Sequence, residues 1–244
     1  MPAPSPANLS AMSPPAVSPP PGPPPEKQRP PAYLSQGGTG VLASFRHAWD
    51  GLLHTVIHQR NMRVHLVSAV LVGLVGSGIQ LGLAEKVTLI FCVLLIFFAE
   101  ILNSALEHLV DLATRHFDEQ ARLTKDAAAA GVLVLAIGTV VIFIAIIVHN
   151  WETVDSSGPQ IFRQVLFGLP LALCVTVLVL PQPRSRWVDR MAFVGGAVLL
   201  GVLASRTASS VFTTLNAGLL IVAGAAARQR RRELTRRAGG EPRT

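Results

Sequence analysis

The sequence predicts an all-α protein that crosses a membrane several times, and three observations carry that expectation. Half of the 244 residues are hydrophobic, only 14% are charged, and the mean hydropathy of +0.46 exceeds that of an ordinary soluble domain. Beyond residue 62 the apolar residues gather into runs near the ~20 residues that a bilayer-spanning helix needs. The basic residues flank those runs, so the net charge of +7 reads as membrane orientation and no nucleic-acid partner is expected. Cys92 and Cys174 both fall inside apolar runs, which leaves no disulfide framework or zinc site and makes them small buried hydrophobes.

Residues 1–40 are expected to be a disordered, Pro-rich cytoplasmic tail, with thirteen of the 18 prolines before residue 36 and no apolar run that would make a signal peptide. Over residues 41–61, Phe45, Trp49, Leu52, Leu53, Val56 and Ile57 recur at spacings of three and four, with Arg46, Asp50, His54 and His58 on other faces. That pattern predicts an amphipathic helix lying in the membrane interface, its histidines on a solvated face. Spans follow at about 63–83, 87–111, 127–148, 161–180, 188–205 and 208–227. Residues 41–151 are read as one membrane domain, 152–228 as additional transmembrane helices, and 229–244 as a basic cytoplasmic tail.

Orientation follows from counting. With six alternating spans and a cytoplasmic start, eighteen of the 21 lysines and arginines lie inside and three, Lys86, Arg163 and Arg206, lie outside. Five spans would leave the arginine-rich C-terminus outside. A multi-pass protein of the inner (cytoplasmic) membrane with both termini cytoplasmic is the expectation.

The second span carries the chemistry. Glu100, Asn103, Glu107 and Asp111 are offset by 3, 7 and 11 residues, which at about 100° per residue returns them to one stripe roughly 16 Å long. A carboxylate in so apolar a segment costs on the order of 2.5–3.5 kcal/mol on insertion scales. Glu107 and Asp111 as mere markers of the helix end would be the plain reading. Two functional readings compete with it. With the charged loop at 115–126, acids that hold Mg²⁺, a cation for phosphates and a glutamate base would make a phosphoryl-transfer site. A proton or cation path through the membrane needs the same stripe, and spacing alone does not separate the two.

The run AEILNSALEHLVD at 99–111, with Lys125 and Asp126 beyond it, resembles the signature of the prokaryotic diacylglycerol kinase and undecaprenol kinase family. The resemblance extends from about 44 to 151 and includes Trp49-x-Gly51-Leu52 and the entry Asn61-Met62-Arg63-Val64-His65. It implies an interfacial helix and a three-helix kinase core, a homotrimer with sites between protomers on the cytoplasmic side, and an ATP-dependent lipid kinase using Mg²⁺. By the same resemblance Glu100 is the general base on the lipid hydroxyl, Asn103 and Asp111 support the site, Glu107 binds the metal, and Lys125 and Asp126 contact the nucleotide.

One position departs from the family. Gln59 stands where a second metal-binding Glu is usual, so metal affinity is expected to fall unless a neighbour such as Asp50 compensates. The alternative function is a catalytically weakened scaffold that keeps the kinase fold. The run at 58–65 looks more like the undecaprenol kinase branch, with diacylglycerol as the other acceptor. Residues 152–244 have no counterpart in small family members and are expected to be a scaffold or oligomer-modifying extension.

Overall fold

The computed structural model of the chain describes residues 40–182 and 184–238, which contain helices and no strand. Among these residues the order is α1 (Val41–His58), α2 (Arg60–Ser77), α3 (Leu83–Ala113), α4 (Glu119–His149), α5 (Trp151–Ser156), α6 (Gly158–Val179), α7 (Arg186–Ala204) and α8 (Ser210–Ala238). The Pro-rich tail, up to residue 39, lies outside the described residues. Met1–Ser44 and Phe45–Thr244 are separate units. In the first, the Ala43 and Ser44 amides donate to the Gly40 carbonyl and open the first turn of α1.

The break between α1 and α2 falls at Gln59. Its extended backbone (φ −91°, ψ 123°) stops one helix and starts the next, while its amide still donates to the Thr55 carbonyl at 2.8 Å. Leu53, Val56 and Ile57 bury one face of α1, and its charged face stays wet. Met62, Leu66, Ala69, Val70, Gly73 and Leu74 recur at helical spacing down α2 and are all buried. Their partners are chiefly α6 and α8, with a lesser contact to α3. The core therefore joins the domain expected at 41–151 to the extension that follows it: Leu66, Val70, Val93, Leu171, Val175 and Leu219 belong to one apolar cluster.

Among the described residues five helices are long and apolar enough to cross a membrane: α3, α4, α6, α7 and Ser210–Arg236 of α8. The helix expected to span at 63–83 is α2, which runs Arg60–Ser77 and, with Arg63 and His65 in its first turns, is less apolar than those five. It is walled by protein, running antiparallel to α6 and α8 with Gly76 against Phe212 near the start of α8 and His58, just before it, against Glu233 near the end, and needs less hydrocarbon on its surface. The last helix continues to Ala238, past the expected span end at 227. Cys92 is buried as expected, whereas Cys174 is only half-buried.

The α2–α8 crossing depends on missing side chains. A Cβ at Gly76 would lie 2.7 Å from the ring of Phe212, which is fully buried, and one at Gly73 would lie 2.5 Å from Asn216 Oδ1. Gly76→Val is expected to lower stability by about 1–3 kcal/mol, read as an earlier midpoint in a denaturant titration of the detergent-solubilised chain. Gly218→Ala, which faces open space, serves as the silent control.

By contrast α4 is almost bare. It packs on α3 and touches little else, Val132 is its one buried residue, and Leu133, Ile137, Val140, Val141 and Ile144 are exposed. A helix this apolar on every side faces lipid or another protein.

Candidate active site

The stripe on α3 forms as its periodicity dictates, and it grades from dry to wet. Glu100 is 1% exposed and Asn103 6%, Glu107 is half-buried, and Asp111 is exposed. Asn103 Nδ2 donates to Glu107 Oε1 at 3.0 Å, one helical turn away. The other carboxylate oxygen, Oε2, accepts from Gln59 Nε2 at 3.2 Å, and the same amide reaches Ser104 Oγ at 3.2 Å. The α1–α2 break thus delivers Gln59 onto the α3 stripe, because an extended residue at a helix junction can turn its side chain out of both helices.

Glu100 lies deeper. His65 of α2 places Nε2 3.4 Å from Glu100 Oε1, an ion-pair distance without hydrogen-bond alignment. Glu100 Oε1 and Asn103 Oδ1 are both buried and accept no hydrogen bond. Two orphaned acceptors side by side on a buried helix face are costly in a finished fold. They fit a site that takes a proton from one partner and a cation or donor from another.

At the exposed end Lys125 Nζ meets Asp111 Oδ1 at 2.5 Å. Asp118 makes this possible by capping α4, its side chain accepting from the Ala121 amide, which sets the helix start beside the end of α3. Asp126 does not join the stripe: it pairs with Arg122 at 2.8 Å, and Arg122 also binds Glu119 at 2.6 Å. Asp50 is exposed and makes no ion pair among the described residues.

The structure therefore brings Gln59, Asn103, Ser104 and Glu107 together, puts Glu100 with His65, and puts Asp111 with Lys125. His65 and Ser104 are functional candidates that sequence reasoning passed over. His65 had a signal, a histidine at the head of an apolar run, and Ser104 had none beyond its place next to Asn103. A second histidine group lies nearby, with the ring of His54 4.3 Å from that of His58 and 5.7 Å from that of His108. Burial, reinforced by those two neighbours, holds the His54 imidazole below its ordinary value.

Among the described residues no group of three or more His, Cys, Asp or Glu could hold a metal. The donor set suits Mg²⁺ brought with phosphates. Such an ion takes one or two carboxylates and fills its remaining positions with phosphate oxygens and water, and here one carboxylate, Glu107, accepts from the side-chain amides of Gln59 and Asn103, while Asn103 Oδ1 is left without a hydrogen bond.

The family model described as prokaryotic diacylglycerol kinase matches residues 46–147, a stretch that holds every stripe residue with Gln59, Lys125 and Asp126. A diacylglycerol kinase of Synechocystis is 36% identical over 108 residues, which cover 44% of this chain and 62% of that protein. An undecaprenol kinase of Bacillus subtilis is 36% identical over 94 residues, 38% of this chain and 76% of the relative. A diacylglycerol kinase of Escherichia coli K12 is 30% identical over 105 residues, 43% of this chain and 86% of the relative. No solved structure matches the chain.

Proposed function

This chain belongs to the prokaryotic diacylglycerol kinase family of lipid kinases, and we propose that it transfers the γ-phosphoryl group of ATP to the primary hydroxyl of a membrane lipid alcohol. The observation that carries this reading is the buried, unpartnered Glu100 oxygen one turn above the Gln59–Asn103–Glu107 cluster.

Glu100 accepts the proton of the lipid hydroxyl. The freed oxygen forms its bond to the γ-phosphorus as the bond to the β-phosphate oxygen breaks, leaving ADP. His65, at 3.4 Å and partly exposed, accepts that proton from Glu100 and passes it toward water between turnovers. Asn103 orients the Glu107 carboxylate. Glu107, with the amide oxygens of Gln59 and Asn103, would hold Mg²⁺, which when bound supplies positive charge to the phosphates. Lys125 and Asp126 contact the nucleotide, and Asp111 holds Lys125 in place until ATP arrives.

The charge asymmetry of the loops supports a site on the cytoplasmic face of the inner membrane, with both termini inside. The exposed apolar surface of α4 supports a homo-oligomer, a trimer by family resemblance.

Labelled ATP offered with diacylglycerol and with undecaprenol separately, in lipid-containing micelles, tests the reading: label enters one of the two lipids, undecaprenol being the expected acceptor. Gln59→Glu restores a second carboxylate beside Glu107. It is expected to lower the Mg²⁺ concentration for half-maximal rate about tenfold, equivalent to ~1.4 kcal/mol. A wild-type chain inert toward both lipids and revived by Gln59→Glu would establish the second reading, a weakened scaffold. Gln59 favours that reading, since its amide donates hydrogen to Glu107.

A further inference from the structure

We propose that the extension carries a second binding site, for the phosphate headgroup of an anionic membrane lipid, at the end of the bundle where α6 stops, α7 starts and α8 leaves the membrane. A cavity of about 690 Å³ opens there, lined by Arg184, Arg186, Arg231, Arg232 and Arg236, with Asp189 the one acid among its lining residues.

The arginines divide into two kinds. Arg230 is nearly buried and donates to the carbonyls of Leu178 and Leu180, tying α8 to the end of α6. Arg231 Nε donates to Asp189 Oδ2 at 2.6 Å and its Nη2 to the Ser185 carbonyl at 2.7 Å, tying α8 to the start of α7. Arg184 donates to the Val177 carbonyl. These three build the frame. Arg186, Arg232 and Arg236 make no hydrogen bond or ion pair among the described residues, although all three line the cavity. Arg186 and Arg232 also line a neighbouring cavity of about 680 Å³ against Phe193 and Gly224.

Three guanidinium groups without an ion-pair partner around one concavity repel one another, and a bound anion relieves that. Guanidinium forks suit the oxygens of a phosphate, which accepts two parallel hydrogen bonds from each. The surroundings favour a lipid over a soluble anion. Trp187, 68% exposed beside Arg186 and stacked under Arg190, is an aromatic residue at the end of a membrane helix, where headgroups lie. Met191 and Val194 continue the exposed apolar surface along α7 and offer a path for an acyl chain. The basic cluster sits at the end of the bundle that holds the stripe, since Glu233 of α8 lies 3.5 Å from His58, the residue before Gln59. The site is independent of the phosphoryl-transfer reading, which routes no step through it.

Trp187 is a built-in reporter. In the full chain carrying Trp49→Phe and Trp151→Phe, Trp187 fluorescence is titrated with dibrominated phosphatidic acid and, separately, dibrominated phosphatidylcholine in nanodiscs. Phosphatidic acid is expected to be favoured about tenfold, and raising salt to shrink that preference. The triple change Arg186→Gln, Arg232→Gln, Arg236→Gln should bring the ratio close to one, with helix content and elution volume unchanged. The exposed Arg236→Gln alone gives a partial loss should the triple variant not fold. Equal quenching by the two lipids, or a preference that survives these changes, overturns the proposal. Reversal of the quenching by millimolar inorganic phosphate would assign the cavity to a soluble anion and overturn it as well.

Discussion

Glu100→Gln is expected to reduce the turnover number for lipid phosphorylation by about 10²–10⁴ while leaving the chain folded. The amide has the size of the carboxylate, and Glu100 Oε1 accepts no hydrogen bond in the fold, so no internal bond is lost there. What disappears is the only carboxylate in the dry part of the stripe, and with it the proposed acceptor for the hydroxyl proton. The loss should fall on kcat, with KM for ATP little changed, because the nucleotide contacts proposed for Lys125 and Asp126 lie at the far end of the stripe. A parallel fall in thermal stability and activity would instead assign Glu100 a structural role.

Glu107→Gln is expected to cost roughly a hundredfold or more at fixed Mg²⁺, with much of the loss recovered at high Mg²⁺. Glu107 is the only acid in the hydrogen-bonded cluster with Gln59 and Asn103, so its removal leaves three neutral side chains at the proposed site of the divalent ion. The swap Gln59→Glu with Glu107→Gln moves the single carboxylate across the 3.2 Å contact and should regain part of the activity. A Mg²⁺ titration of the four combinations checks this. An unchanged Mg²⁺ dependence in Glu107→Gln would remove Glu107 from the metal site.

Much of this site was legible because helical periodicity is local. Offsets of 3, 7 and 11 residues put Glu100, Asn103, Glu107 and Asp111 on one face, and the α3 helix carries them so. The meeting of Gln59 with Glu107 is not local. It depends on a helix break at Gln59 and on how α2 lies against α3, and family resemblance rather than spacing suggested the pairing. His65 was passed over because its proposed role comes from facing Glu100 across two helices. The central position of α2 was illegible for a related reason: apolar composition says that a helix is dry but not whether lipid or protein dries it. Small residues show the same limit. Within the extension, Gly196 and Gly224 meet Leu220 and Phe193, whereas Gly201 and Gly218 face open space, a difference that composition does not reveal.

The most direct test of the central claim is phosphoryl transfer by the wild-type chain, reconstituted in bilayer nanodiscs with its lipid acceptor and Mg²⁺. ATP labelled at the γ-phosphate is compared with ATP labelled at the α-phosphate. Label from the γ position alone, recovered in an organic-extractable lipid phosphate, is the predicted result. Folded protein that moves neither label into lipid across a wide range of Mg²⁺ would contradict the assignment of the Glu100–Asp111 stripe as a lipid kinase site.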